Sequence, residues 1–286
     1  GKRMTLTIGD DIFDLSGIWQ YAVTAEADRD CPFEDFVRWK PTGLYNAMLA
    51  PCFPYAVRAV LWYQGESNTG DYAMRYGDEL KAMIELWRGK WHQPDMPFLI
   101  VQLPKFGIDA IEDGGWPLIR EQEWRVADEL EHVAAVVTLD AGESNDLHPH
   151  DKKTIADRAF NVAMDFVYGQ QAQPQPVVET AEADDGLLRM HCVWRNSMGE
   201  QMQSQNRHLM TLDGDVPREI DFLWHDCATS VRAEAWLDGC DIVARIPSRM
   251  PDEVRYAWSN SPESGLICDG DGVLLPPFHL PLPMVD

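Results

Sequence analysis

Basic residues are scarce in this chain. Against 47 aspartates and glutamates stand 24 lysines and arginines, so the formal charge at neutral pH is −23 over 286 residues. A surface of that sign repels phosphate backbones and anionic headgroups, so neither nucleic acid nor a membrane is expected as a partner. It gives no general attraction to an anionic sugar either, which would need local positive groups. Long apolar runs are also missing: no stretch approaches the ~20 residues that a spanning helix requires. No CxxC pair occurs, because the six cysteines stand apart at positions 31, 52, 192, 227, 240 and 268. Zinc ribbons and dithiol redox motifs are thereby unsupported. The even count permits disulfides, but free thiols are the expectation. No metal-ligand spacing is recognisable, so the expected metal and cofactor are none. No secretory leader stands in the chain, and the compartment is not read from it.

What is present is an ordinary apolar content of 45%, enough for one large domain or two modest ones with a substantial core. The chain is organised around residues 57–68. Residues 57–63 are apolar apart from Arg58 and read as a central strand covered on both faces. They run into Gln64-Gly65-Glu66-Ser67-Asn68, a polar cluster at a strand end, where ligands sit in open α/β sheets. The same cluster reads equally as a turn with Asn68 or Thr69 capping the next helix. That helix spans about 72–87, with Tyr76, Leu80, Met83, Ile84 and Trp87 on one face. A second strand is expected over 97–103, and a helix opening at Pro117 with Ile119, Val126 and Leu130 inward. A third strand follows over 134–139. A last helix, about 152–168, carries Ile155, Ala159, Val162 and Phe166 inward and stops at Gly169. Strands alternating with helices imply a mainly parallel sheet. Before this part, residues 4–8 alternate, Gly9-Asp10-Asp11 signals a turn, the strand character resumes over 15–21, and 28–35 is an acidic loop. After it, a Gln/Ala/Pro connector over 170–176 leads to short alternating runs at 187–194, 219–224, 231–237 and 241–246 that read as a small β-sandwich.

Trp62-Tyr63-Gln64-Gly65-Glu66-Ser67-Asn68 resembles the signature of the sialate O-acetylesterases, members of the SGNH (GDSL-like) hydrolases. The resemblance runs along nearly the whole chain: Pro41-Thr42-Gly43-Leu44-Tyr45-Asn46 upstream, then Trp87-Arg88, residues 97–103, Arg120-Glu121-Gln122, Asn145-Asp146-Leu147-His148-Pro149, residues 254–258 and Pro276-Pro277-Phe278. It implies a flavodoxin-like parallel sheet of SGNH type, incomplete at its N-terminal side. It also implies three segments: residues 1–40 as the end of an inserted β-rich domain, 41–172 as the C-terminal part of the catalytic α/β domain, and 173–286 as a small β-rich domain.

Ester hydrolysis needs a base that takes the nucleophile's proton and returns it to the leaving alkoxide, a role that suits imidazole. By the resemblance that base is His148, and Asp146 is the carboxylate that orients it. Many SGNH enzymes place the aspartate three residues before the histidine, which here is Asn145. A dyad held by a backbone carbonyl, or Asp140 as orienting group, are the alternatives. Gln64 and Gly65 would supply an amide side chain and a backbone N–H to the oxyanion hole. Glu66 would hold the loop or bind a sugar hydroxyl, beside Asn68. Ser67 lacks the glycine two residues on that a nucleophile elbow requires, and reads as a capping group. The family's nucleophilic serine lies in a Gly-Gln-Ser-Asn-Met motif that occurs nowhere in this sequence. The expectation is therefore a catalytic half whose serine comes from an N-terminal segment of the same protein, acting on O-acetylated sialic acid or a related acetylated sugar such as acetylxylan. The competing expectation is a catalytically incomplete carbohydrate-binding fragment.

Overall fold

The alternating residues near the start of the chain form a hairpin. Strands β1 (Thr5–Ile8) and β2 (Asp11–Asp14) pair antiparallel around Gly9, whose φ of 62° is a left-handed value that glycine adopts without steric cost. This computed structural model describes residues 5–15, 40–107, 115–170, 173–203, 207–227 and 230–282. The renewed strand character expected over 15–21 and the acidic loop over 28–35 lie almost wholly outside the described residues. The chain divides into two compact units, Gly1–Cys52 and Phe53–Asp286. Besides the hairpin, the first unit contains a π-helical turn at Tyr45–Leu49 and a 3-10 turn at Ala50–Cys52.

The second unit begins with the α/β part. Its elements are β3 (Val60–Trp62), α1 (Ala73–Trp91), β4 (Phe98–Val101), α2 (Trp116–Glu129), β5 (Val133–Val136) and α3 (Lys152–Phe166). The three strands are parallel in the order β3-β4-β5, with Leu61 opposite Leu99 and Leu99 opposite Ala134. Side chains alternate across β4 as the pleat requires. Phe98 and Ile100 enter a core with Tyr76, Leu80 and Ile84 of α1 and Ile119 and Val126 of α2. Leu99 and Val101 face Ile155 and Ala159 of α3 on the opposite side. Each fully buried side chain of this kind contributes roughly 1.5–3 kcal/mol of transfer free energy.

Two sequence expectations need correction. The strand that begins the site is not covered on both faces. Val60 and Trp62 pack toward α1 and α2, but Leu61 is 58% exposed. The reason is topological: β3 is the sheet's edge, with β4 as its only strand neighbour among the described residues. Nor does the polar cluster cap the helix that follows it. Glu66–Asn68 and Gly70–Tyr72 are separate 3-10 turns, and α1 begins at Ala73 with no side-chain cap, so neither Asn68, Thr69 nor Ser67 caps it. At its other end α1 continues four residues past Trp87. Trp91 packs 5.8 Å from Trp87 and edge-on to Phe53 at 4.6 Å, and His92 closes the helix in the left-handed conformation.

The rest is antiparallel. A five-stranded sheet contains β12 (Ala235–Asp238), β13 (Asp241–Arg245), β7 (Leu187–Arg195) and β6 (Gln175–Asp184) in that order, with β8 (Gln201–Met202) on β7. A four-stranded sheet contains β11 (Val231–Arg232), β10 (Ile220–Leu223), β14 (Glu253–Tyr256) and β16 (Phe278–Pro281). A third pair joins β9 (Leu209–Thr211) to β15 (Ile267–Asp269). Trp194 and Ile242 from one sheet meet Phe222 and Tyr256 from the other in one core, which is the sandwich-like packing expected. The single run expected over 231–237 is two strands, because the chain passes from the β10 sheet to the β13 sheet between them. Val137 and Leu139, just after β5, enter this same core and tie it to the α/β part.

Candidate active site

All three parallel strands end at one edge, so the segments after β3, β4 and β5 meet there. The turn after β3 is held from below. The Tyr76 hydroxyl on α1 donates to the Gln64 carbonyl at 2.5 Å and accepts from Trp62 Nε1 at 3.2 Å. Burial, with Glu123 and Glu66 nearby, raises the pKa of that phenol, so it stays a donor. Gly65 is buried against α2. A Cβ there would stand 2.8 Å from Ile119 Cγ2 and 3.3 Å from Glu123 Oε1, so only glycine fits so close to the helix. On the open side the turn satisfies itself. Gln64 Nε2 donates to Asn68 Oδ1 at 2.8 Å, and the Gly65 N–H donates to Glu66 Oε2 at 2.9 Å. Ser67 is exposed.

The segments after β4 and β5 are joined by backbone hydrogen bonds, Lys105 N to Ala141 O at 3.0 Å and Gly107 N to Ser144 O at 2.8 Å. Gly142, with φ of 87°, lies so near Lys105 O that a Cβ would approach it to 2.8 Å. Beyond it the chain runs through Glu143, Asn145, Asp146 and His148 into α3. Asp151 caps that helix with bonds to Lys153 N and Thr154 N, each 3.1 Å. The ammonium of Lys152 lies 5.2 Å from the Tyr63 ring centroid, which ties the start of α3 to the end of β3.

His148 is exposed, and its backbone N–H donates to Asp146 Oδ1 at 3.1 Å. Asp146 thus fixes the His148 backbone; no bond from the carboxylate to the His148 ring is present among the described residues. The ring held by a carboxylate is that of His150, with Nδ1 3.0 Å from Glu143 Oε1 and 3.9 Å from Asp146 Oδ2. The contact with His150 holds Glu143 below the usual carboxylate range. Glu143, Asp146 and His150 together bring three potential ligand atoms within 4.8 Å of one another, although both carboxylates already have hydrogen-bond work in the loop. Asp140 is committed elsewhere, in a bidentate pair with Arg158 at 2.5 and 2.8 Å. Asn145 is exposed.

Two buried ionic groups behind the edge escaped the sequence reading. Arg120, fully buried on α2, donates to the carbonyls of Leu103, Pro104, Ser259 and Asn260. Burial lowers its pKa to about 10, so it remains a cation at neutral pH. Glu123, one helical turn further and also fully buried, accepts from Leu103 N at 3.0 Å through Oε2. Burial pushes this carboxyl well above its usual range, and Glu66 adds to the rise. The readable signal was their spacing. Arg120 and Glu123 stand at i and i+3 on the stripe of α2 that Ile119 and Val126 mark as inward. The folded state holds a proton on Glu123 that the unfolded chain releases near the ordinary value of 4.5, so stability falls as pH rises above that value. Glu123→Gln is therefore expected to raise the urea midpoint at pH 8 more than at pH 5, and equal midpoint shifts would refute a neutral buried acid.

A cavity of about 710 Å³ lies away from this edge; Trp124, Val133, Val178, Arg195 and Phe278 help line it, between α2, β5 and the antiparallel sheets. A smaller one of about 330 Å³ lies behind the loops, against Gly107, Ser144 and Asn260.

Residues 34–158 match the family model described as carbohydrate esterase, sialic acid-specific acetylesterase. The sialate O-acetylesterase of Mus musculus is 30% identical over 264 residues, covering 82% of this chain and 47% of the mouse protein. That of Homo sapiens is 30% identical over 174 residues, covering 53% of this chain and 33% of the human protein. A crystal structure of a carbohydrate acetylesterase from Xanthomonas citri superposes with a TM-score of 0.72 at 30% identity, over 83% of this chain and 53% of that one. The chain spans about half the length, or less, of these relatives. By motif, by sequence and by fold, it belongs to the sialate O-acetylesterase family of carbohydrate esterases.

Proposed function

We propose that the chain is the C-terminal half of a serine carbohydrate esterase that removes O-acetyl groups from sialic acids. The observation that supports this most is the convergence of the Gln64–Asn68 turn and the His148 loop at one edge of the β3-β4-β5 sheet, in a chain whose relatives are named for that activity. In this reading a serine from the upstream segment attacks the acetyl carbonyl and gives its proton to the His148 imidazole. The carbonyl oxygen takes up the charge between Gln64 Nε2 and the Gly65 N–H, which exchange their bonds to Asn68 and Glu66 for bonds to the oxyanion. Collapse of the tetrahedral intermediate passes the proton to the departing sugar hydroxyl, and water then releases acetate from the acyl-enzyme by the same base. Asp146 acts through the His148 backbone. Middle residues 41–172 carry this chemistry, between 1–40 and a β-rich segment 173–286. No metal or organic cofactor enters the scheme.

The sugar is the less determined part, since the Xanthomonas relative is named only for carbohydrate acetyl esters. Acetylxylan is the second substrate to assay. A non-catalytic sugar-binding role is favoured by one observation, the missing Gly-Gln-Ser-Asn-Met motif. Acetate release from an aryl acetate and from O-acetylated sialic acid separates these readings, with the purified chain measured beside a longer polypeptide that includes the upstream segment. Turnover by the longer polypeptide alone is the expected result. Equal turnover by the chain alone would overturn the split site and bring Ser67 or Ser144 back as nucleophile. No turnover by either would favour the binding role.

A further inference from the structure

Glu123 has no part in the scheme above, yet it lies directly beneath it. Of its two carboxyl oxygens, Oε2 is taken by Leu103 N–H and Oε1 is buried with no hydrogen-bond partner among the described residues. An orphaned polar atom in a core is costly and calls for a reason. Its surroundings supply one: Oε1 lies 3.3 Å from the point where a Gly65 Cβ would stand, so the carboxyl is pressed against the backbone of the turn. The Gly65 peptide is thus flanked by two acids. Glu66 approaches from the open side and takes the N–H, and Glu123 closes the core side.

We propose that Glu123 is a positioning residue for acyl transfer: its carboxyl, locked in place by the Leu103 N–H, sets the direction in which the Gly65 N–H points. The proposal rests on the esterase reading and deepens it. Charge matters as much as shape. An ionised carboxylate behind Gly65 would oppose the negative charge that develops in front of it. The groups facing Glu123 are Arg120 from its own helix, Glu66 from the turn, and Tyr63 and Tyr76 from the end of β3 and from α1. The Leu103 N–H and Arg120 favour ionisation, but burial outweighs both, and the guanidinium is already spread over four carbonyls. Burial and the nearby Glu66 and Glu123 carboxyls push Tyr63 up to about 12, so it carries no charge at neutral pH.

The test uses the complete protein with its upstream segment, an aryl acetate, and the variants Glu123→Gln and Glu123→Ala. Gln reproduces the shape and neutrality of the acid and keeps an acceptor for Leu103 N–H, so it should retain kcat and KM. It should also lose the alkaline decline that ionisation of Glu123 imposes on kcat. Ala frees the turn, and kcat should fall by about 10²-fold with KM little changed, the mark of a misplaced transition-state donor. Should Glu123→Ala not fold, as judged by circular dichroism, Glu123→Met takes its place, keeping the length and losing the acceptor. An infrared carboxylic-acid band at neutral pH, absent from Glu123→Gln, reads the neutral state independently of turnover. Wild-type kcat in the folded Ala or Met variant overturns the positioning role, as does absence of the band. A wild-type protein that cleaves no ester fails the esterase reading instead.

Discussion

Replacing His148 with alanine in the complete protein is expected to lower kcat/KM by about 10² to 10⁴, the range over which a positioned acid–base group contributes. His150→Ala, two residues on, is expected to leave turnover nearly intact. The contrast has weight because local geometry alone favours the other histidine: His150 has a carboxylate on Nδ1 at 3.0 Å, while the His148 ring has no side-chain partner among the described residues. A base waiting for its serine need not be fixed in advance, since catalytic hydrogen bonds tighten when the nucleophile and substrate arrive. Rate–pH profiles of both variants decide the matter. If His150→Ala is the damaging change and His148→Ala is tolerated, then the base is His150, oriented by Glu143, and the assignment by resemblance is wrong.

The second large effect is on stability. Arg120→Ala is expected to cost at least about 3–5 kcal/mol, comparable with breaking a buried ionic pair. Four carbonyls lose a charged donor at once, at 2.7 Å for Leu103, 2.8 Å for Ser259, 3.0 Å for Pro104 and 3.1 Å for Asn260. A net contribution of about 1.5–3 kcal/mol for each hydrogen bond to a charged group makes that total modest. Arg120→Lys should rescue little, because a single ammonium lacks the planar fork that reaches acceptors on two segments. The bonds join the segment after β4 to residues 259–260, so loss of Arg120 removes one of the links between the β-rich part and the α/β part. Urea unfolding measures the effect. A loss under about 1 kcal/mol, the level of an ordinary substitution, would show that water takes the place of the guanidinium and that the clamp is unimportant.

The order of strands and helices, the parallel sheet and the β-rich second half were legible because they depend on local periodicity. Apolar residues spaced by 3.6 or 2 form a stripe or a face whatever lies opposite. The polar turn at a strand end was legible for the same reason, and Gly65 was its marker. Extents were less so. Helix α1 starts where its periodicity places it but gains a turn at its end because Trp91 finds Trp87 and Phe53, a contact between positions 38 residues apart. The exposure of Leu61 could not be read from its apolar run, since an edge strand and a central strand differ only in what lies beside them. Charge pairing was the least legible. Asp140 was open as an orienting group until α3 placed Arg158 against it, and Arg120 and Glu123 are polar letters in a helix until the fold removes water from both. By itself the sequence determined the elements, the polar turn at a strand end and the family. Which ionic groups are buried, which are paired and which press on the Gly65 turn was decided only by tertiary structure, because desolvation and pairing depend on neighbours distant in the chain.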